Sequence, residues 1–153
     1  MRSEGAARHF IFAFLLAVVG YAVVYHVIEH HRVRKGPWRV TFQKAGTAPP
    51  ELLISQPSLH IEDVRLILPA ESAGPTNLNR TLVFDQPRAV PYEVPFGQCV
   101  FMDTTFLPGT LTFRMSGHEI ELLPRVLVLD RQEVPWASGS TMNLGTQGHA
   151  RSH

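Results

Sequence analysis

FIFAFLLAVVGYAVVYHVI, residues Phe10 to Ile28, decides how the rest of the chain is read. Of these 19 residues only Gly20 and His26 fall outside the apolar and aromatic set. As a helix the stretch is about 28 Å long, close to the ~30 Å hydrocarbon core of a bilayer. A buried helix of a soluble domain would carry a polar stripe, and this stretch has none. The expectation is therefore a single N-terminal transmembrane helix over residues 10–28.

A cleaved signal peptide is the alternative. Arg2 and Arg8 supply a basic start, and Gly20-Tyr21-Ala22 places small residues two apart. However, the apolar run continues through Val23, Val24, Val27 and Ile28, beyond a usual secretory core, which favours an uncleaved anchor.

Working outward, residues 1–9 read as a short polar tail and residues 29–36 as a basic juxtamembrane linker. Tyr21, Tyr25 and His26 suit the headgroup boundary, and Arg32, Arg34 and Lys35 follow directly. Sidedness draws on two opposed signals. Arg32, Arg34, Lys35, Arg39 and Lys44 outnumber Arg2 and Arg8, which favours a cytoplasmic C-terminal domain. A short tail ahead of an anchor is instead the layout of chains whose soluble part is exported. The expectation is a single-pass protein with its soluble domain on the extracytoplasmic side. The seven residues Glu29 to Lys35 span at most about 25 Å extended and about 10 Å as helix, so the domain is tethered near the bilayer.

Beyond the tether the punctuation changes. All 12 prolines occur at or after Pro37, and eleven lie between Pro49 and Pro135, a spacing hostile to long helices and natural for short strands. Trp38, Val40 and Phe42 alternate with Arg39, Thr41 and Gln43. Further candidate strands are Leu52–Ile54, Leu59–Leu68, Thr81–Phe84, Gln98–Asp103, Leu111–Met115, His118–Leu123 and Val126–Leu129. Seven or eight short strands predict an all-β domain, a β-sandwich or small barrel, over residues 37–136.

The sharpest local signal is the hairpin Leu111 to Leu122 about the turn Ser116-Gly117. Folded there, Met115 faces His118, Arg114 faces Glu119, Phe113 faces Ile120, Thr112 faces Glu121 and Leu111 faces Leu122. Apolar meets apolar and Arg meets Glu, and each such pair contributes about 0.2 to 1 kcal/mol. Pro37-Trp38 and Pro135-Trp136 mark the domain's two ends. Each Trp is expected to cap the core; the competing position for Trp38 is the bilayer surface. Residues 137–153, rich in Gly, Ser and Thr, read as a disordered tail.

Composition narrows the function classes. The chain has 153 residues, 14 Lys+Arg against 13 Asp+Glu and one cysteine. That length allows one ordinary domain, and the charge balance argues against nucleic acid as a partner. A lone Cys excludes an internal disulfide framework and a Cys-based zinc finger. The mean hydropathy of zero averages the apolar segment with a polar, proline-punctuated remainder.

Few constellations could carry chemistry. His26-Val27-Ile28-Glu29-His30 fits the His-x-x-Glu-His pattern of inverted zinc peptidases, with His26 and His30 on one helical face. A third ligand from elsewhere is needed, and a polar collar at the membrane boundary explains these residues better. Glu119 and Glu121 share a strand face, where Arg114 and Thr112 oppose them as an ordinary solvated ladder. His118 falls on the apolar face beside Met115, as a partly buried, hydrogen-bonded histidine. His60 points away from Leu59 and Ile61. Cys99, within Gln98-Cys99-Val100-Phe101-Met102, reads as buried and not reactive. Asn79-Arg80-Thr81 fits a glycosylation acceptor, a pattern short enough to arise by chance. Asp63, Asp85, Asp103 and Asp130 fall near strand ends, as turn chemistry predicts.

No residue is assigned as catalytic, cofactor-binding or metal-ligating, and no cofactor is expected. Two functions remain. The first is a protein-interaction or assembly module at the membrane surface, bound to the bilayer and to a protein partner or a second copy. Ala13, Ala17 and Gly20, at i, i+4 and i+7, would let anchors pack closely. The second is a membrane-tethered enzyme or carbohydrate-binding module, which requires two or more of His60, Asp103, His118 and Glu121 to converge in one pocket.

Overall fold

The computed structural model describes residues 3–34, 36–69 and 75–145, with helix side chains described from 7 to 28. Two compact units result: the N-terminal helix, and everything from Lys35 onward.

Helix α1 runs Ser3–Arg34. Within it Ala7–Ile28 is long and apolar enough to cross a membrane. Every described side chain of that stretch is exposed. The helix itself extends past that stretch at both ends, from Ser3 to Arg34, across residues read from the sequence as polar tail and basic linker. The reason is local, since Glu29 to Arg34 contains no glycine or proline. Gly36 at φ +63° followed by Pro37 then ends it, because proline cannot continue a helix.

The second unit is a β-sandwich. Its strands are β1 Trp38–Ala45, β2 Glu51–Gln56, β3 Ile61–Ile67, β4 Asn77–Phe84, β5 Tyr92–Val94 and β6 Gly97–Asp103. Then follow β7 Thr110–Met115, β8 His118–Leu122, β9 Val126–Leu129, β10 Gln132–Pro135 and β11 Thr141–Asn143. One sheet has the order β11-β3-β2-β1-β4, the other β10-β9-β8-β7-β6-β5. Every pairing is antiparallel except β11 with β3, which is parallel.

The alternation in β1 sends Trp38, Val40 and Phe42 inward, each fully buried, against Arg39 and Thr41 facing out. The opposite sheet contributes Leu111, Phe113, Met115, Ile120, Leu122 and Leu127, all at most 1% exposed. Phe113 joins the layers: its ring lies 6.3 Å from Phe42 in an edge-on arrangement and 5.5 Å from Phe84. Such aromatic pairs contribute about 0.5–1.5 kcal/mol beyond area burial.

The hairpin β7–β8 has the register expected of it, from Leu111 opposite Leu122 to Met115 opposite His118. Ser116 and Gly117 both have positive φ, as a two-residue turn matched to strand twist requires.

Eleven strands among the described residues exceed the expected seven or eight. The additional ones, β5, β10 and β11, are three or four residues long. Residues from Ala137, expected as disordered tail, continue the fold: Gly139 N donates to Glu62 O, and Arg65 N to Ser140 O, both at 2.8 Å. Met142 and Leu144 pack on the core, which gives this otherwise polar segment its reason to order. The remainder of the expected tail, residues 146–153, lies outside the described residues. The strand expected over Leu59–Leu68 is β3, shorter at its start because Pro57–Leu59 forms a 3-10 turn.

Candidate functional site

The polar chemistry of the sandwich gathers where two tight turns meet. The β7–β8 turn holds Ser116 and Gly117. The β9–β10 turn holds Asp130 and Arg131, with φ of 50° and 68°. β8 lies between β7 and β9, so both turns stand at one end of the sheet. His118 opens β8 with its side chain inward, 3% exposed, opposite Met115. Its Nδ1 lies 2.6 Å from Asp130 Oδ2. An ionised carboxylate only accepts, so Nδ1 carries the proton. Asp130 Oδ1 accepts from Glu119 N at 2.9 Å, and Asp130 N donates to Glu119 O at 2.9 Å. One aspartate therefore binds the start of β8 through backbone and side chain together.

Outside this pair lies a polar hollow of about 340 Å3, lined by Arg114, Gly117, His118, Glu119, Asp130 and Arg131. Arg114 and Glu119 approach to 3.6 Å with side chains 64% and 38% exposed, a contact of small energetic consequence. Among the described residues His118 Nε2 is sealed from solvent and has no hydrogen-bond partner. A histidine that passes protons to a substrate must present its second nitrogen to it. Here that nitrogen is enclosed, so the His118–Asp130 pair acts as a clamp between two hairpins. Leaving Nε2 unpaired costs about 1–3 kcal/mol, which the charged bond at Nδ1 offsets.

The other three residues that an enzyme or carbohydrate site would need stand apart. His60 is exposed in the left-handed conformation, capping the 3-10 turn, and its carbonyl accepts from Ser138 Oγ at 2.8 Å. The expectation that it points across a strand fails because the chain turns there. Asp103 Oδ1 accepts from Thr105 N at 2.9 Å, and that bond holds its carboxyl below the usual range. Glu121 lies on the outer face of β8, between Thr112 and Val128. None of the three lines the hollow at His118.

Cys99 is fully buried in β6, its Sγ 3.4 Å from Phe101 O, and burial pushes its thiol up in spite of contacts that lower it. Burial likewise raises the phenol of Tyr92, whose hydroxyl reaches Met102 Sδ at 3.6 Å while Arg88 lies over its ring.

The tryptophans cap the core as expected. Trp38 is fully buried, and its Nε1 donates to Gly109 O at 3.0 Å. Trp136 Nε1 donates to Leu123 O at 2.8 Å, and the two rings are 5.3 Å apart. Sequence reasoning missed a second clamp. Buried Gln56 donates to Gly36 O at 2.9 Å and Pro37 O at 3.2 Å, while its Oε1 accepts from Ser58 N. It ties the segment before β1 to the end of β2.

A groove of about 520 Å3 lies at one end of the other sheet, past Gln43, Lys44, Glu51, Asn77 and Asn79. Asn79, of the Asn79-Arg80-Thr81 pattern, is exposed on β4. The Glu29 and His30 side chains of the His-x-x-Glu-His pattern lie outside the described residues. Among the described residues, no group of three or more His, Cys, Asp or Glu side chains could hold a metal ion. Comparison with protein-family models, with curated proteins and with solved structures finds no match to this chain.

Proposed function

We propose that the chain is a single-pass membrane protein whose β-sandwich serves as a protein-interaction or assembly module at the membrane surface, on the extracytoplasmic side. The observation that carries the reading is the stretch Ala7–Ile28, apolar and exposed on all sides. At about 1.5 Å per residue its 22 residues measure about 33 Å, enough for a bilayer core. Water cannot accommodate that much apolar surface, and a lipid environment does. The interaction role is supported by what the sandwich does with its polar groups. His118, Asp130 and Gln56 tie strands together, while among the described residues the outer strand β4 has no neighbour on its second edge.

The test is made on the full chain in cell membranes. An anchored protein resists alkaline carbonate extraction and retains its N-terminal residues by intact mass. A chain that begins near Ala22 and is released on extraction would refute the anchor. A C-terminal reporter active on one side only reads the sidedness, and a cytoplasm-only signal would overturn it. Crosslinking in the membrane is expected to recover either a second copy or another protein; recovery of neither would sink the interaction role.

A further inference from the structure

The four outer strands of the sandwich are β4, β5, β10 and β11, and three of them are blunted. β5 has three residues between Pro91 and Pro95, β10 has four and ends in Pro135, and β11 has three. Short length and proline are the ordinary means by which an exposed edge avoids pairing with another chain. β4 has neither. It runs eight residues, Asn77–Phe84, contains no proline, and pairs with β1 at every residue without a bulge. Among the described residues no strand occupies its other edge. Val83 is 48% exposed there.

We infer that β4 is an assembly edge and that its occupant is β4 of a second copy, joined antiparallel about a two-fold axis at Thr81. The side chains select that register. Opposed residues in an antiparallel pair share a face, so only registers centred on a residue continue both faces of the sandwich. Centring on Arg80 sets two guanidinium groups against each other. Centring on Leu82 or on Asn79 shortens the paired stretch to five residues of each strand. Centring on Thr81 places Leu78 opposite Phe84 and Arg80 opposite Leu82 on one face, with Asn79 opposite Val83 on the other. Thr81 then meets its own copy. The Thr81 hydroxyl is already 2.8 Å from that of Thr41, so the axis extends an existing hydroxyl row across both molecules. A strand complementary to itself favours a second copy over an unrelated peptide, and the resulting contact is isologous and closed. The inference names the partner and surface within the assembly role proposed above, and rests on it for the confinement in one membrane that raises local concentration.

The experiment uses the full chain in membranes. Thr81→Cys is expected to give a disulfide-linked dimer under mild oxidation, and co-expressed Asn79→Cys and Val83→Cys chains are expected to crosslink to each other. Thr41→Cys is one strand further in, so two copies are separated by about 14 Å, three strand spacings, and no disulfide forms. Buried Cys99 does not compete. Thr81→Lys and Thr81→Glu are each expected to lower the dimer fraction at least tenfold, and co-expression of the two restores it, which a folding defect would not. Absence of the Thr81→Cys dimer, equal crosslinking at Thr41, or failure of the charge pair to restore pairing would each overturn the β4 edge. If membrane crosslinking still recovers a copy or another protein in that case, the assembly role stands on a different surface. If it recovers nothing, both fall.

Discussion

Truncating Phe113 tests whether the two sheets share one core. The ring is fully buried on β7 and meets Phe42 and Phe84 of the opposite sheet at 6.3 Å and 5.5 Å. Phe113→Leu retains most of the apolar volume and loses two aromatic contacts of about 0.5–1.5 kcal/mol each, so it is expected to cost about 1–3 kcal/mol. Phe113→Ala also leaves a cavity between the layers, for about 3–5 kcal/mol in all. Phe101→Leu, on a residue 49% exposed, is the control and should cost about 1 kcal/mol or less. The assay is urea unfolding of the full chain in detergent micelles, followed by tryptophan fluorescence. Both tryptophans lie in the sandwich and none in α1, so the signal reports on the β unit alone. Combining Phe42→Leu with Phe113→Leu should show a coupling of about 0.5–1.5 kcal/mol. A loss below about 1.5 kcal/mol for Phe113→Ala, or no coupling to Phe42, would refute the idea that these rings hold the sheets together.

The clamp is tested at Asp130. Asp130→Ala deprives His118 Nδ1 and Glu119 N of their acceptor and is expected to cost about 2–4 kcal/mol, whereas Asp130→Asn keeps an acceptor, tolerates the positive φ and costs less. Equal urea midpoints for the two variants would contradict it. Two glycines with positive φ should separate by their surroundings. A Cβ at Gly117 meets open space, while one at Gly109 collides with Asp103 O. Melting temperatures should therefore place Gly117→Ala at about 1–2 kcal/mol and Gly109→Ala at about 2–5 kcal/mol. The third concerns pH. The folded chain holds the Cys99 proton beyond the ordinary value of 9.0 at which the unfolded chain releases it, so stability falls as pH rises from about 9. Cys99→Ala should flatten the urea midpoint's decline between roughly pH 9 and pH 11, and an unchanged slope would count against a buried neutral thiol.

What could be read from the residues depended on how locally each feature is determined. The apolar helix and the β7–β8 hairpin rest on neighbouring residues, and both were legible, the hairpin down to every pair. The apolar run delimits a span and not the helix ends, and Gly36-Pro37 sets the helix stop. β5 and β11 are too short to show alternation, and β11 exists only because β3 offers it an edge. His118 was legible as a buried, bonded histidine because its register follows from the hairpin. Its partner Asp130 was assigned no more than turn chemistry, since β8 and β9 bring it to His118 only in the folded sheet. Gln56 gave no signal, because its role depends on where Gly36 and Pro37 pass.

The parallel pairing of β11 has a mechanical consequence. β2 reverses β1, β3 reverses β2, and β11 runs with β3, so β11 points the same way as β1 within one sheet. Trp38 and Asn143 therefore stand at opposite ends of that sheet. Tension between the two termini of the sandwich drags β11 lengthwise along β3, loading the bonds Gly139 N to Glu62 O, Arg65 N to Ser140 O and Leu144 N to Ile67 O together. A strand leaving as one arm of a hairpin would instead peel open one bond at a time. A pull on the C-terminal end is carried in shear across the sheet before any of the core is exposed.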